Sequence, residues 1–363
     1  HVHGGRAVID SVIEALAAQD GHRMAEPGEF TRRAFEHGKL DLTEAEAVAD
    51  LIDAQTQMQK AQAMNQLGGA LSELYAGWTE TLKKTLAHLE ADIEFPDEDL
   101  PEGIAPEVTD NIAKLLREIE EHLSDNRRGE RLRDGIQIAV IGAPNAGKSS
   151  LVNALVQRDV AITSDTAGTT RDVIEAHLDL GGYPVILADT AGLRPDQIGD
   201  EGQDAIEGEG IKRALQRAKD ADITLLLFDG SEEMPDPHTL NLIDERAILV
   251  TNKMDMDGAR SQIDTALMIS ADKGDGLPAL LDVILEKIKQ IMGSSETPSL
   301  TRQRHRAHLQ DALDSLKRSE DAALPEMMAE DVRLAMRSLG NITGKVNVED
   351  LLDVIFNDFC IGK

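Results

Sequence analysis

The sequence predicts an α/β domain set inside an all-α one, and three observations predict it. Helical periodicity runs from Thr43 to about Ile93, gives way near Asp134 to short β-branched runs, and returns after Gly293. The runs are Ile136–Ile141, Val185–Ala188, Ile223–Phe228, Ala247–Val250 and Ala266–Ile269, and strands alternating with helical stretches build a parallel sheet. The third observation is the octet Gly142-Ala143-Pro144-Asn145-Ala146-Gly147-Lys148-Ser149, which joins the first run to a helical Ser150–Val156.

In the first helical part, Thr43 and Glu46 have the spacing of a capping box. Leu67, Leu71, Leu74, Trp78, Leu82, Leu86, Leu89 and Ile93 then recur at steps of three and four, one stripe of a helix. Pro96 ends it, and the acidic run Asp97–Glu102 reads as a loop. A second helix starts at Pro106, a residue suited to a first turn, and carries Ile112, Leu115, Leu116, Ile119 and Leu123. Beyond the α/β part, Gly293–Ser299 reads as a linker. Leu309, Leu313 and Leu316 form one stripe, Val332, Ala335, Met336 and Leu339 another, and Leu351–Phe359 a third. No internal repeat is present.

At 363 residues the chain exceeds one ordinary core. No uncharged apolar run reaches the roughly 18–20 residues a bilayer requires, so no membrane association is expected. There is no initiator Met and no basic-then-apolar leader; the start at His1 reads as a fragment missing its beginning. Cys360 is the one cysteine, which excludes an internal disulfide framework and fits a reducing, cytoplasmic setting. A net charge of −30 opposes indiscriminate binding to phosphate backbones. Any RNA contact needs a more basic partner or a local patch. The best patch is Arg127, Arg128, Arg131 and Arg133, which reads equally well as a hinge before the α/β domain.

The octet matches G-x-x-x-x-G-K-[ST] between a strand and a helix, the setting in which such a loop cradles phosphates. Backbone N–H groups from Asn145 to Ser150 would wrap the phosphates. Lys148 would neutralise the β- and γ-phosphates, and Ser149 would ligate Mg²⁺. Three companions follow in order. Asp189-Thr190-Ala191-Gly192 closes the second run: Asp189 would hold the Mg²⁺ water shell, and the Gly192 N–H would meet the γ-phosphate. Asn252-Lys253-Met254-Asp255 closes another, and the Asp255 carboxylate can accept both N1–H and N2–H of guanine. Adenine lacks those donors and would leave the carboxylate unpaired. Ser270-Ala271 would supply a backbone contact to guanine O6. Thr169-Thr170-Arg171 lies where a Mg²⁺-binding switch threonine belongs, and Thr170 is the candidate. The nucleotide is therefore GTP, and the signature resembles the translation-factor class of P-loop GTPases.

Leu193 stands where Ras-like enzymes place a glutamine, and an apolar side chain cannot orient water. Asn145 together with Ser164-Asp165-Thr166-Ala167-Gly168-Thr169-Thr170 resembles potassium-activated GTPases. That resemblance implies K⁺ held by Asn145 and by the loop at Ser164, Thr166 and Thr169. The ion would stand in for an arginine finger, a charge worth roughly 10³–10⁵ in rate.

Pro27-Gly28-Glu29-Phe30-Thr31-Arg32-Arg33-Ala34-Phe35, Gly38-Lys39-Leu40-Asp41-Leu42, Ala45-Glu46-Ala47-Val48 and the ending Asp358-Phe359-Cys360-Ile361-Gly362-Lys363 resemble the MnmE (TrmE) family of tRNA-modifying GTPases. The resemblance implies a remnant of a folate-binding domain at 1–40 and a helical domain at 41–133 and 296–363. A GTPase domain at 134–295 would be inserted between the helical parts. It also implies a homodimer whose GTPase domains meet in the GTP/K⁺ state, and a heterotetramer with the flavoprotein MnmG. The expected product is a carboxymethylaminomethyl-type group at C5 of wobble uridine (U34) in tRNA, with a tetrahydrofolate derivative as one-carbon donor.

By the same resemblance a water-orienting glutamate stands three residues before Gly210-Ile211, at Glu207. The loop Pro195–Glu209 departs from the family pattern, and Glu209 is a rival. Cys360 has two readings, a part in the modification chemistry or packing beside the helices. Arg32 and Arg33 suit a folate carboxylate, RNA or surface ion pairs. With about 40 residues of the folate domain present, folate binding and the dimerisation it mediates are open. His3-Gly4-Gly5 reads as a family segment rather than a metal site. The rival assignment is a ribosome-assembly switch of the Era and EngA type; a C-terminal segment that is helical, acidic and without a GXXG loop weighs against it.

Overall fold

The computed structural model describes residues 1–94, 104–158, 175–189, 216, 218–293, 298–345, 352 and 355, with backbone alone at 104, 105, 175 and 189. The chain divides into two units. His1–Ile52, Ala63–Glu120 and Arg304–Lys363 form the first, and Asp53–Gln62 with Glu121–Gln303 form the second.

The helices of the first part of the chain are α1 (Arg6–Ala17), α2 (Glu29–Glu36), α3 (Leu42–Asp53), α4 (Gln57–Leu67), α5 (Ala70–Glu94) and α6 (Ile104–Leu123). The continuous helix expected from Thr43 to Ile93 is thus three helices, broken before Gln57 and at Gly68-Gly69. A capping box does open α3, but not at Thr43 and Glu46. Asp41 is the cap: its Oδ1 accepts the Glu44 N–H at 2.9 Å, and Glu44 Oε2 accepts the Asp41 N–H at 2.7 Å. Both partners of this reciprocal pair satisfy N–H groups that no helical carbonyl reaches. Glu46 points instead into the core of the first unit, toward Arg304 and His305.

α5 buries Leu71, Tyr75, Trp78, Leu82, Thr85 and Leu89 at helical spacing. It packs against α12 (Pro325–Thr343), which follows α11 (Gln303–Glu320). Leu309, Leu313 and Leu316 of α11 and Val332, Ala335 and Leu339 of α12 are buried, each leucine or valine stabilising the unit by roughly 1.5–3 kcal/mol. Of the C-terminal stripe, Leu352 and Ile355 are described and pack with Leu42 and Ala45.

The second unit carries α7 (Arg128–Asp134), β1 (Ile136–Gly142), α8 (Lys148–Val156), β2 (Glu175–Leu180), β3 (Tyr183–Asp189) and β4 (Ile223–Asp229). After these come α9 (Pro237–Leu240), β5 (Ala247–Asn252), β6 (Leu267–Met268) and α10 (Leu277–Met292). The six strands lie in the order β2-β3-β1-β4-β5-β6. All pairs are parallel except β2 with β3, an antiparallel edge that the sequence reading missed. Both faces of the sheet are covered, as parallel sheets require. Ile136, Ile138 and Val140 of β1 face Leu151 of α8 and Leu280 and Ile284 of α10. Ala139 and Ile141 belong to a separate cluster with Leu226 and Phe228. Among the described residues no helix is long and apolar enough to cross a membrane.

Candidate nucleotide-binding site

The loop after β1 leaves the C-terminal edge of the parallel strands, where open α/β sheets bind ligands. Two residues in it adopt left-handed backbone, Asn145 at φ 66° and Gly147 at φ 95°. Gly147 is the N-cap of α8, and no side chain caps that helix. A Cβ at Gly147 would overlap the Asn252 side-chain amide, so glycine is demanded by conformation and space together. The start of α8 presents first-turn N–H groups and the positive end of the helix dipole, an arrangement that favours an anion. Lys148 lies over the loop, its Nζ donating to the Gly142 carbonyl at 3.0 Å and to that of Ala143 at 2.9 Å.

The loops after β5 and β6 reach the same edge. Asn252 is 2% exposed. Its Nδ2 donates to the Ala146 carbonyl at 2.9 Å, and its Oδ1 accepts the Ala271 N–H at 2.9 Å. This side chain therefore ties the phosphate loop to the loop after β6. Of the Ser270-Ala271 backbone expected to meet guanine O6, the Ala271 N–H is held by Asn252 and the Ser270 N–H by the Asp275 carbonyl at 2.9 Å in this structure. Ser270 Oγ donates to Asp255 Oδ1 at 2.7 Å and accepts the Lys273 N–H at 3.0 Å. The hydrogen bond from Ser270 holds the exposed Asp255 carboxyl below its ordinary range, so it is an anion and a pure acceptor at neutral pH.

The structure thus gathers Asn145, Ala146, Gly147, Lys148, Ser149, Ser150, Asn252, Lys253, Asp255, Ser270 and Ala271 at one sheet edge. The backbone of Asp189 joins them, opposite Val140 in the β1–β3 register. Its side chain lies outside the described residues, as do Ser164, Thr166, Thr169, Thr170, Gly192, Glu207, Glu209 and Cys360. In the first unit, Arg32 pairs with Glu36 at 3.2 Å and Arg33 is exposed. The four arginines of the supposed basic patch are engaged within the second unit. Arg131 pairs with Asp222 at 2.6 Å and Arg133 with Asp134 at 2.7 Å. Arg127 pairs with Glu130, and Arg128 Nε donates to the Asp125 carbonyl at 3.0 Å. One neighbour of the site was missed by sequence reasoning: Asp229, at the end of β4, receives Lys253. Its signal was an acid at the mouth of a buried strand, followed directly by Gly230.

Residues 42–360 match the family model described as the MnmE helical domain, and residues 1–39 match that of the GTP-binding protein TrmE N-terminus. The chain is 51% identical over 368 residues to the tRNA modification GTPase MnmE of Rhodospirillum rubrum, across 100% of this chain and 80% of that protein. It is also 51% identical to the protein of the same name from Parvibaculum lavamentivorans, across 100% of this chain and 82% of that one. With the Gluconacetobacter diazotrophicus protein of that name the identity is 50% over 363 residues, across 100% and 80%.

Proposed function

The chain belongs to the MnmE (TrmE) family of tRNA modification GTPases, and we propose that it is a potassium-activated member acting with the flavoprotein MnmG at C5 of wobble uridine. At the coarser level it is a GTP hydrolase of tRNA modification that uses GTP and Mg²⁺. The observation that carries the reading is the meeting of three loops, those after β1, β5 and β6, at one sheet edge. An α8 N-terminus suited to phosphate and an Asp255–Ser270 pair suited to guanine are joined there through Asn252.

In this reading Lys148 exchanges the carbonyls of Gly142 and Ala143 for phosphate oxygens when nucleotide enters. Ser149, Thr170 and Asp189 serve Mg²⁺, and Gly192 serves the γ-phosphate. Asn145 is exposed at the crest of its loop, in a backbone conformation that turns the chain there, and it suits a cation ligand beside Ser164, Thr166 and Thr169. Potassium, when bound, would supply the positive charge that an arginine finger brings elsewhere. Glu207, with Glu209 as rival, orients water. Two such GTPase domains meet in a homodimer, and the cytoplasmic complex with MnmG carries the tRNA. Residues 1–40 are the end of a folate-binding domain with Arg32 and Arg33 serving a folate carboxylate, RNA or surface ion pairs such as Arg32–Glu36, residues 41–133 and 296–363 the helical domain, and 134–295 the GTPase domain. Cys360 keeps its two readings.

GTP turnover in KCl and in NaCl at equal ionic strength tests the potassium site. A large stimulation by K⁺ that Asn145→Ala abolishes is expected; equal slow rates in both salts overturn it. Wobble-uridine analysis of tRNA from cells lacking the gene tests the substrate. Normal modification there would favour a ribosome-assembly switch.

A further inference from the structure

We propose that Asp229 is a positioning residue of the nucleotide site, holding the Lys253 side chain in place beside Asn252 and Asp255. The inference rests on the guanine-site reading and deepens it. β4 ends on Asp229 and β5 on Asn252, and these two residues are register partners in the parallel ladder. Lys253, the next residue, therefore leaves the sheet edge alongside Asp229. Its backbone is left-handed, at φ 64°, a conformation uncommon for residues other than glycine.

The Lys253 Nζ meets Asp229 Oδ2 at 2.6 Å, with side-chain exposures of 29% and 12%. The other carboxylate oxygen is also occupied: Oδ1 accepts the Ser231 N–H at 2.9 Å and its hydroxyl at 2.6 Å. Burial alone would raise this carboxyl. The hydrogen bonds from Lys253 and Ser231 outweigh burial and hold it below the ordinary carboxylate range. The surrounding backbone is fixed as well. Gly230 N–H donates to the Asn252 carbonyl at 2.9 Å, and Gln262 Nε2 donates to the Asp229 carbonyl at 2.9 Å.

A lysine stem is among the most mobile of side chains. Tethered at its tip, the Lys253 stem is ordered before nucleotide arrives; untethered, its ordering would be charged against binding. Asp229 needs no contact with the nucleotide to have this effect, since it acts through Lys253.

The test is a double-mutant cycle in the full chain, with GDP affinity read by calorimetry and GTP turnover alongside. Asp229→Asn keeps an acceptor for Ser231 and removes the ion pair. It is expected to weaken GDP binding roughly threefold to tenfold, the scale of one side chain's ordering cost, and to raise KM with kcat unchanged. Lys253→Met should weaken binding too, and adding Asp229→Asn to it should change nothing further. Additive effects, or an Asp229→Asn protein that binds GDP like its parent, overturn the inference and leave the guanine site standing. A parent chain that binds no GDP overturns the site reading and the inference with it. Should Asp229→Asn fail to fold, Ser231→Ala loosens the same carboxylate. Weaker binding beside Lys253, and no change beside Met at that position, is then the expected result; any other pattern overturns the proposal.

Discussion

Glu46 lies at the centre of a buried ion cluster in the first unit, between Arg304 and His305. Its spacing from Thr43 suggested a surface cap, yet it is 1% exposed. Arg304 Nε and Nη2 reach its two oxygens at 2.6 and 2.8 Å, and His305 Nε2 lies 2.9 Å from Oε2. Arg304 also donates to the Ile342 carbonyl at 3.0 Å, so the cluster joins α3, α11 and the end of α12. Burial pushes the Glu46 carboxyl up, but the charge and hydrogen bond of His305, and then those of Arg304, bring it well below its usual range. Removing one member of a buried ion cluster leaves the others uncompensated, and Glu46→Ala should cost about 3–5 kcal/mol. Trp78 is the one tryptophan of the chain and lies in the same unit, so its fluorescence in denaturant reports that unit's unfolding. A carboxyl depressed on folding contributes stability that is complete above its unfolded value, here 4.5, and is lost as pH falls below it. The difference between parent and Glu46→Ala should therefore shrink below about pH 4.5. A gap that widens in acid would contradict this assignment of the cluster.

At the scale of elements, caps and turns decide what periodicity cannot. Asp41 closes the first turn of α3 and also accepts the hydroxyls of Thr43 at 2.8 Å and Ser72 at 2.5 Å. Asp41→Ala should lower stability by about 1–2 kcal/mol, the upper range for an N-cap, again read on Trp78; an unchanged midpoint would show that the cap does not matter. The heptad-like stripe was legible from Leu67 to Leu89 because burial follows spacing. The breaks were not, because Leu67 and Leu71 keep helical spacing across Gly68-Gly69. The strands β1, β3, β4 and β5 were legible as apolar runs for the same reason, buried on both faces. β2 escaped notice because it is half-buried: Leu178 and Leu180 face the core, and His177 and Asp179 alternate with them. The signal was there in its alternation and in Gly181-Gly182, whose φ values of 62° and 92° make the two-residue turn into β3. At the site, loop residues were legible because phosphate and guanine impose particular residue types. Asp229 was not, because it answers to Lys253 and to no ligand.

At the scale of the whole molecule the question is how a chain of net charge −30 serves tRNA. Each phosphate contact requires a cation, and counterion release sets the affinity. The densest run of arginines, from Arg127 to Arg133, was the best local candidate, but its guanidinium groups face Glu130, Asp222, Asp134 and the Asp125 carbonyl. To serve RNA they would have to share their donors with partners inside their own unit. Repulsion from the remaining surface would then act on any approaching backbone. The expected outcome is that this chain alone, at about 0.15 M salt, binds tRNA only at the weak end, roughly 10⁻⁴ M, of a non-specific range that reaches about 10⁻⁶ M. A basic partner, the role proposed for MnmG, should bring the affinity and its steep salt dependence with it. Electrophoretic shifts of tRNA with the chain alone, the partner alone and both together distinguish the possibilities. Micromolar binding by the chain alone, weakened by Arg131→Ala, would mean that the ion pairs open and that the tRNA site lies on this chain after all.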